Sequence, residues 1–214
     1  MPIPAGSAKL SRRAARARRM WATAFNLPNQ LTTARLILAV IMFGLIAWKY
    51  YTASTVLFII AAGTDWLDGY FARKYNQVTN LGRILDPFAD KVIVCGTFIF
   101  LIAIPQTLAT PLGLRPWMVV AIVGRELLVT ALRSFIEDRG SDFSAQWSGK
   151  VKMVLQCLSA VVCLVFLEFV KASVSDAPEW LWLLLVASVW STVIVTVYSG
   201  LVYVLAAIRL MRGQ

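Results

Sequence analysis

Asp65 and Asp68, then Asp86 and Asp90, are the residues of this sequence whose spacing most plainly asks for chemistry. They stand in the pattern Asp65-x-x-Asp68-Gly69-x-x-Ala72-Arg73, eight further residues, then Gly82-x-x-x-Asp86-x-x-x-Asp90. Only 11 of the 214 residues are acidic, and these four lie in stretches that are otherwise apolar. A carboxylate near the centre of a spanning helix costs about 2.5–3.5 kcal/mol on insertion scales. Four close together also repel one another unless cations lie between them. The pattern therefore asks for divalent metal, and metal held by carboxylates suits phosphate chemistry.

Residues three or four apart on a helix share a face, with Cβ atoms about 5–6 Å apart. Asp65 and Asp68 then point one way from one helix, and Asp86 and Asp90 from the next. The short polar turn between them (Asn76, Gln77, Asn80) makes the two helices neighbours, so the pairs meet across a seam. That seam suits two Mg²⁺ or Mn²⁺ ions with positions left for phosphate oxygens. Gly69 and Gly82 are poor helix formers, and Ala72 is small. Beside a metal site, the missing side chains would let a nucleotide approach the backbone. Arg73 would pair with a phosphate or with one of the aspartates. The plainer alternative is a set of structural ion pairs with Arg73, Arg83 and Lys91, against which stands the functional default for intramembrane acids.

The elements that must position these groups are membrane helices. The chain is 59% apolar and 15% charged, which predicts an all-α polytopic membrane protein with six transmembrane helices. Hydropathy places the spans near 31–50, 52–75, 81–104, 116–137, 147–170 and 180–208. Residues 1–25 form a basic segment with Lys9, Arg12, Arg13, Arg16, Arg18 and Arg19, and residues 26–214 the transmembrane domain. The basic segment reads as an interfacial helix anchored by Trp21 and Phe25, with an organellar transit peptide as the alternative. Basic residues crowd one set of span ends, which puts the N-terminus and the aspartates on the cytoplasmic side. The net charge of +10 thus fits an anionic membrane surface and not nucleic acid. With no histidine there is no Ser-His-Asp triad and no His-ligated zinc. Cys95, Cys157 and Cys163 fall in apolar stretches without metal-ligand spacing and read as buried inert thiols.

The stretch DWLDGYFARKYNQVTNLGRILDPFADK resembles the signature of the CDP-alcohol phosphotransferases, D-x2-D-G-x2-A-R-x8-G-x3-D-x3-D, with every fixed position filled. The resemblance implies a six-span fold, a homodimer and a dinuclear metal site. By that similarity Asp65, Asp68 and Asp86 are metal ligands. Asp90 contacts metal and is also the base on the acceptor hydroxyl. Gly69, Ala72, Arg73 and Gly82 then border the CDP-lipid.

Three further segments bear on the acceptor: NLPNQLTTAR from Asn26, GRELLVTALR from Gly124, and SGKVK from Ser148, with Gln156 beyond it. They look like the branch of that family that takes CDP-diacylglycerol and glycerol-3-phosphate, with Met153 departing from a usual Thr. Arg125, Arg133, Lys150 and Lys152 would form a cationic lobe for the acceptor phosphate. The two lysines also fit the plain role of positive-inside residues. Arg125 and Glu126 are sequence neighbours on different helix faces, so Arg125 is expected to pair elsewhere, with a phosphate or one of the aspartates. Other acceptors (serine, an inositol phosphate or phosphatidylglycerol) are the alternative within the class. A prenyltransferase and a divalent-cation transporter are rivals outside it. The setting expected is a bacterial cytoplasmic membrane, an organellar membrane being the alternative.

Overall fold

The computed structural model describes residues 27–75, 82–108, 112–137, 147–173 and 177–212. Residues 27–29, 31, 65–75, 82–84, 86, 135–137, 147–148 and 210–212 enter by backbone alone. The described residues form six long helices and one 3₁₀ turn, Pro105–Leu108. The helices are α1 (Leu27–Ala47), α2 (Tyr51–Tyr75), α3 (Gly82–Ile102), α4 (Pro116–Glu137), α5 (Trp147–Phe169) and α6 (Glu179–Arg212). They follow the spans expected from hydropathy to within four residues at every end. The basic segment 1–25 lies outside the described residues.

Local chemistry explains the ends. Pro28 sits in the first turn of α1, where its missing N–H leaves no bond unmade. At the other end Lys49 takes φ 62°. Tyr50 N–H donates to Leu45 O at 2.9 Å and Lys49 N–H to Ile46 O at 3.0 Å, the paired bonds of a Schellman close. The next helix begins at once, and its Thr52 N–H is capped by Glu168 Oε2 of α5 at 3.2 Å. α6 runs 34 residues, about 51 Å, well beyond the roughly 30 Å of a hydrocarbon core.

Each helix buries one stripe and shows apolar side chains elsewhere. On α1 the buried stripe is Thr32, Arg35, Ala39, Met42 and Ile46, at alternating steps of three and four, while Ile37, Val40 and Ile41 are exposed. α5 exposes Val151, Val154 and Leu158, and α6 exposes Leu183, Ile194 and Leu201. A helix that is apolar all round and exposed on one side is suited to lipid. Two stretches, Gly149–Phe169 and Glu179–Arg209, are long and apolar enough to cross a membrane. The protein is therefore all-α and membrane-associated.

The helices pack so that α1 touches α2 and α3, α5 touches α2, α3 and α6, and α4 joins α3 to α6. α2 and α3 are neighbours, as the short turn between them requires. Cys95, Cys157 and Cys163 are free thiols; Cys163 is buried and the other two half-buried.

The α1–α3 approach depends on Gly96. The Phe43 ring stacks on Phe100, with centroids 4.9 Å apart and planes at 7°. A methyl group at Gly96 would overlap the Phe43 ring edge. Gly96→Ala is expected to destabilise the fold by about 1–3 kcal/mol through overpacking, read as a lower midpoint of thermal unfolding in detergent. An unchanged midpoint would mean that the ring swings away without cost. This contact matters for function because α1 and α3 also carry Arg35 and Asp90.

Candidate active site

The polar residues that fall in phase with the apolar stripes meet inside the bundle. Arg35 belongs to the buried stripe of α1 and is only 2% exposed. Its Nη1 donates to Asp90 Oδ1 at 3.0 Å, joining α1 to α3 across 55 residues of sequence. Pro87, Asp90 and Val94 lie on one face of α3, and that face forms one wall of a cavity of about 510 Å³. Pro87 lies inside the helix and has no N–H, so the ladder lacks one bond in the turn before Asp90. Lys91 Nζ donates to Pro87 O at 3.0 Å.

Across the cavity, α4 and α5 supply charged groups in the same way. Glu126 lies two turns beyond buried Met118 and one beyond Ile122, in phase with the core of α4. Lys152 and Gln156 are one turn apart on α5 and equally in phase. Glu126 is 8% exposed and Lys152 is 7% exposed, and they form an ion pair through Glu126 Oε1 and Lys152 Nζ. The same oxygen accepts from Gln156 Nε2 at 3.4 Å and Arg125 Nη1 at 3.3 Å.

Arg125 corrects one expectation drawn from the sequence. It does pair with its neighbour Glu126, although their Cβ atoms diverge around the helix. The reason is reach: a three-carbon stem and a forked head let one guanidinium serve two directions. Nη2 donates to Ser199 Oγ at 2.6 Å, and the guanidinium carbon sits 5.4 Å from the Tyr203 ring centroid. Ser199 and Tyr203 are one turn apart on α6. Gly200 lies between them, where a Cβ would come within 3.1 Å of Arg125 Cγ.

The cavity thus brings together five of the residues singled out in the sequence: Asp90, Arg125, Arg133, Lys150 and Lys152. Its cations are donors only, so as a set they suit an anion. Two of them, Lys152 and Arg125, are also engaged by the buried Glu126 carboxylate. Asp65, Asp68, Gly69, Ala72 and Arg73 lie on the last turns of α2, and Gly82 and Asp86 on the first turns of α3. Their side chains lie outside the described residues. Among the described residues no three acidic, cysteine or histidine side chains converge as a metal set.

Three participants were not picked out as site residues by sequence reading: Arg35, Glu126 and Gln156. The available signal was phase, since each occupies a core position of its helix where an apolar residue is expected.

The family model for CDP-alcohol phosphatidyltransferase matches residues 25–198, and the chain belongs to that family of transferases. More particularly, it is 36% identical over 174 residues to a Bacillus subtilis (strain 168) protein named CDP-diacylglycerol–glycerol-3-phosphate 3-phosphatidyltransferase, across 73% of this chain and 86% of the relative. A Blochmanniella floridana protein of the same name is 32% identical over 188 residues, covering 84% of this chain and 90% of its own length. The Escherichia coli (strain K12) protein of that name is 37% identical over 144 residues, 63% of this chain and 74% of its own.

Proposed function

We propose that this protein transfers the phosphatidyl group of CDP-diacylglycerol to glycerol-3-phosphate, giving phosphatidylglycerophosphate and CMP. The observation that carries the reading is one shared cavity walled by Asp90 on one side and by Arg125, Arg133, Lys150 and Lys152 on the other. Such a cavity offers one acceptor both a base for its hydroxyl and cations for its phosphate. The shared name of the relatives supports the same substrates.

The four aspartates fit a divalent metal by the chemistry of the donor set: hard carboxylate oxygens on two touching helices, with no soft ligand among them. Two Mg²⁺ or Mn²⁺ ions held by Asp65, Asp68, Asp86 and Asp90 would neutralise charge on the diphosphate of the CDP-lipid. The chain's own residues do the rest. Arg133 and Lys150, with Arg125 and Lys152 beside them, bind the acceptor phosphate and turn its free hydroxyl toward Asp90. Asp90 takes the proton as the hydroxyl oxygen attacks the β-phosphorus. Arg35 holds the Asp90 carboxylate in one orientation, which limits the geometry that must be searched. CMP leaves as a phosphate and needs no strong acid. Gly69, Ala72 and Gly82 give the nucleotide room beside the backbone, and Arg73 meets its phosphates.

The same reading sets the protein in a bacterial cytoplasmic membrane with all six helices spanning and the cavity open to the cytosol. Support comes from helix lengths of 21 to 34 residues, the apolar exposed faces and the basic bias of one set of ends. On the same reading the charge of the basic segment 1–25 favours an anionic membrane surface, and the protein works as a homodimer. An acceptor panel with radiolabelled CDP-diacylglycerol and Mg²⁺ or Mn²⁺ tests the assignment. Glycerol-3-phosphate is expected to exceed serine, free inositol and phosphatidylglycerol by at least about 100-fold in kcat/KM, the range of a charge-assisted phosphate contact. Equal use of an uncharged alcohol would refute it. A preferred inositol phosphate would keep the cationic lobe and replace the acceptor.

A further inference from the structure

Among the described residues that line the cavity, only Asp90 and Glu126 carry carboxylates. Asp90 has a role in the reading above, whereas Glu126 has none. A buried acid in the wall of an anion site is an odd choice, because it weakens the field that attracts the anion. Lys152 and Arg125 give it structural partners, but they leave half of it unused. All three donors converge on Oε1: Lys152 Nζ, Arg125 Nη1 and Gln156 Nε2. No described residue donates to Oε2.

Oε2 is not among the buried polar atoms that lack a partner, so it is reachable from the cavity that Glu126 lines and can take a donor there. The cavity cannot supply that donor from its own cations without drawing them off the phosphate. An acceptor molecule can. Glycerol-3-phosphate carries a phosphate, a primary hydroxyl that reacts and a central hydroxyl that does not. The wall carries a cationic group, a proposed base and one spare carboxylate oxygen.

We propose that Glu126 Oε2 accepts a hydrogen bond from the non-reacting hydroxyl of the acceptor, which makes Glu126 a specificity-determining residue of the acceptor site. Its Oε1, anchored by Lys152, Arg125 and Gln156, fixes where Oε2 is presented. The acceptor is then held at three points, so its reacting hydroxyl faces Asp90 in one pose. This inference rests on the acceptor proposed above and is tested so that the two can fail separately.

The test compares glycerol-3-phosphate with the monophosphate of propane-1,3-diol, which keeps the phosphate and the reacting hydroxyl and lacks the central one. For the wild-type enzyme, kcat/KM is expected to favour glycerol-3-phosphate by about 10–100-fold, the range for a hydrogen bond to a charged group. In E126Q, which keeps the volume and an oxygen for Lys152, that ratio should fall at least threefold. In E126A combined with K152M, which removes the acid without stranding the lysine, it should fall to within about threefold of unity. A purely structural Glu126 would lower turnover of both acceptors together and leave the ratio unchanged. Use of the two acceptors within threefold by the wild-type enzyme overturns the inference and leaves the function intact. So does a wild-type ratio retained in both variants. If neither acceptor is turned over, the proposed function falls and this inference falls with it.

Discussion

Replacing Asp90 with asparagine is expected to lower kcat by about 10²–10⁴-fold, the usual worth of a positioned general base. The substitution keeps the volume of the side chain and an oxygen that can still accept from Arg35, so the fold and the α1–α3 contact should survive. CDP-diacylglycerol affinity should change by less than about threefold if the other three proposed ligands, Asp65, Asp68 and Asp86, keep the ions, because binding itself does not need the base. Steady-state turnover and equilibrium binding of the CDP-lipid measure the two quantities on one preparation. Mn²⁺ binding, followed by electron paramagnetic resonance, separates a lost base from a lost ligand. Full metal loading with turnover lost assigns Asp90 to proton transfer, whereas metal lost together with turnover assigns it to the ion site. Near-normal turnover removes it from both.

Much of this arrangement was legible in the sequence because long apolar helices announce themselves by length and apolarity. The helix ends fall within a few residues of the hydropathy minima, and the cationic groups Arg125, Arg133, Lys150 and Lys152 do line one cavity with Asp90. What sequence could not supply was the pairing. Helical adjacency argues against an Arg125–Glu126 contact, yet the flexible guanidinium makes it while also reaching Ser199. Arg35 passed as part of a helix start, although its phase with Ala39, Met42 and Ile46 puts it in the core, where a charge needs a partner. That partner lies on another helix, at a separation no local pattern encodes. Spacing within a helix tells which side a residue takes, and only the packing of helices tells what it meets there.

The Glu126–Lys152 pair shows what such a meeting contributes to stability. Two charges at 8% and 7% exposure have lost most of their hydration, and each is tolerated because the other is present. Glu126→Ala is therefore expected to destabilise the protein by about 3–5 kcal/mol, since it leaves a buried ammonium beside the Arg125 guanidinium with no counter-charge. Lys152→Met in the same background should restore most of that loss, because an unbranched apolar chain fills the lysine stem's path without a charge to solvate. Arg125 stays anchored in both variants by Ser199 and Tyr203, which keeps its own burial tolerable. Unfolding midpoints in a fixed detergent, with all four members of the cycle, measure the coupling. A coupling below about 0.5 kcal/mol would mean that water or lipid headgroups reach the pair and screen it. The cycle also divides two roles that one residue carries. Stability restored by Lys152→Met belongs to the ion pair, whereas acceptor discrimination missing in the restored protein but kept in Lys152→Met alone belongs to the Glu126 carboxylate.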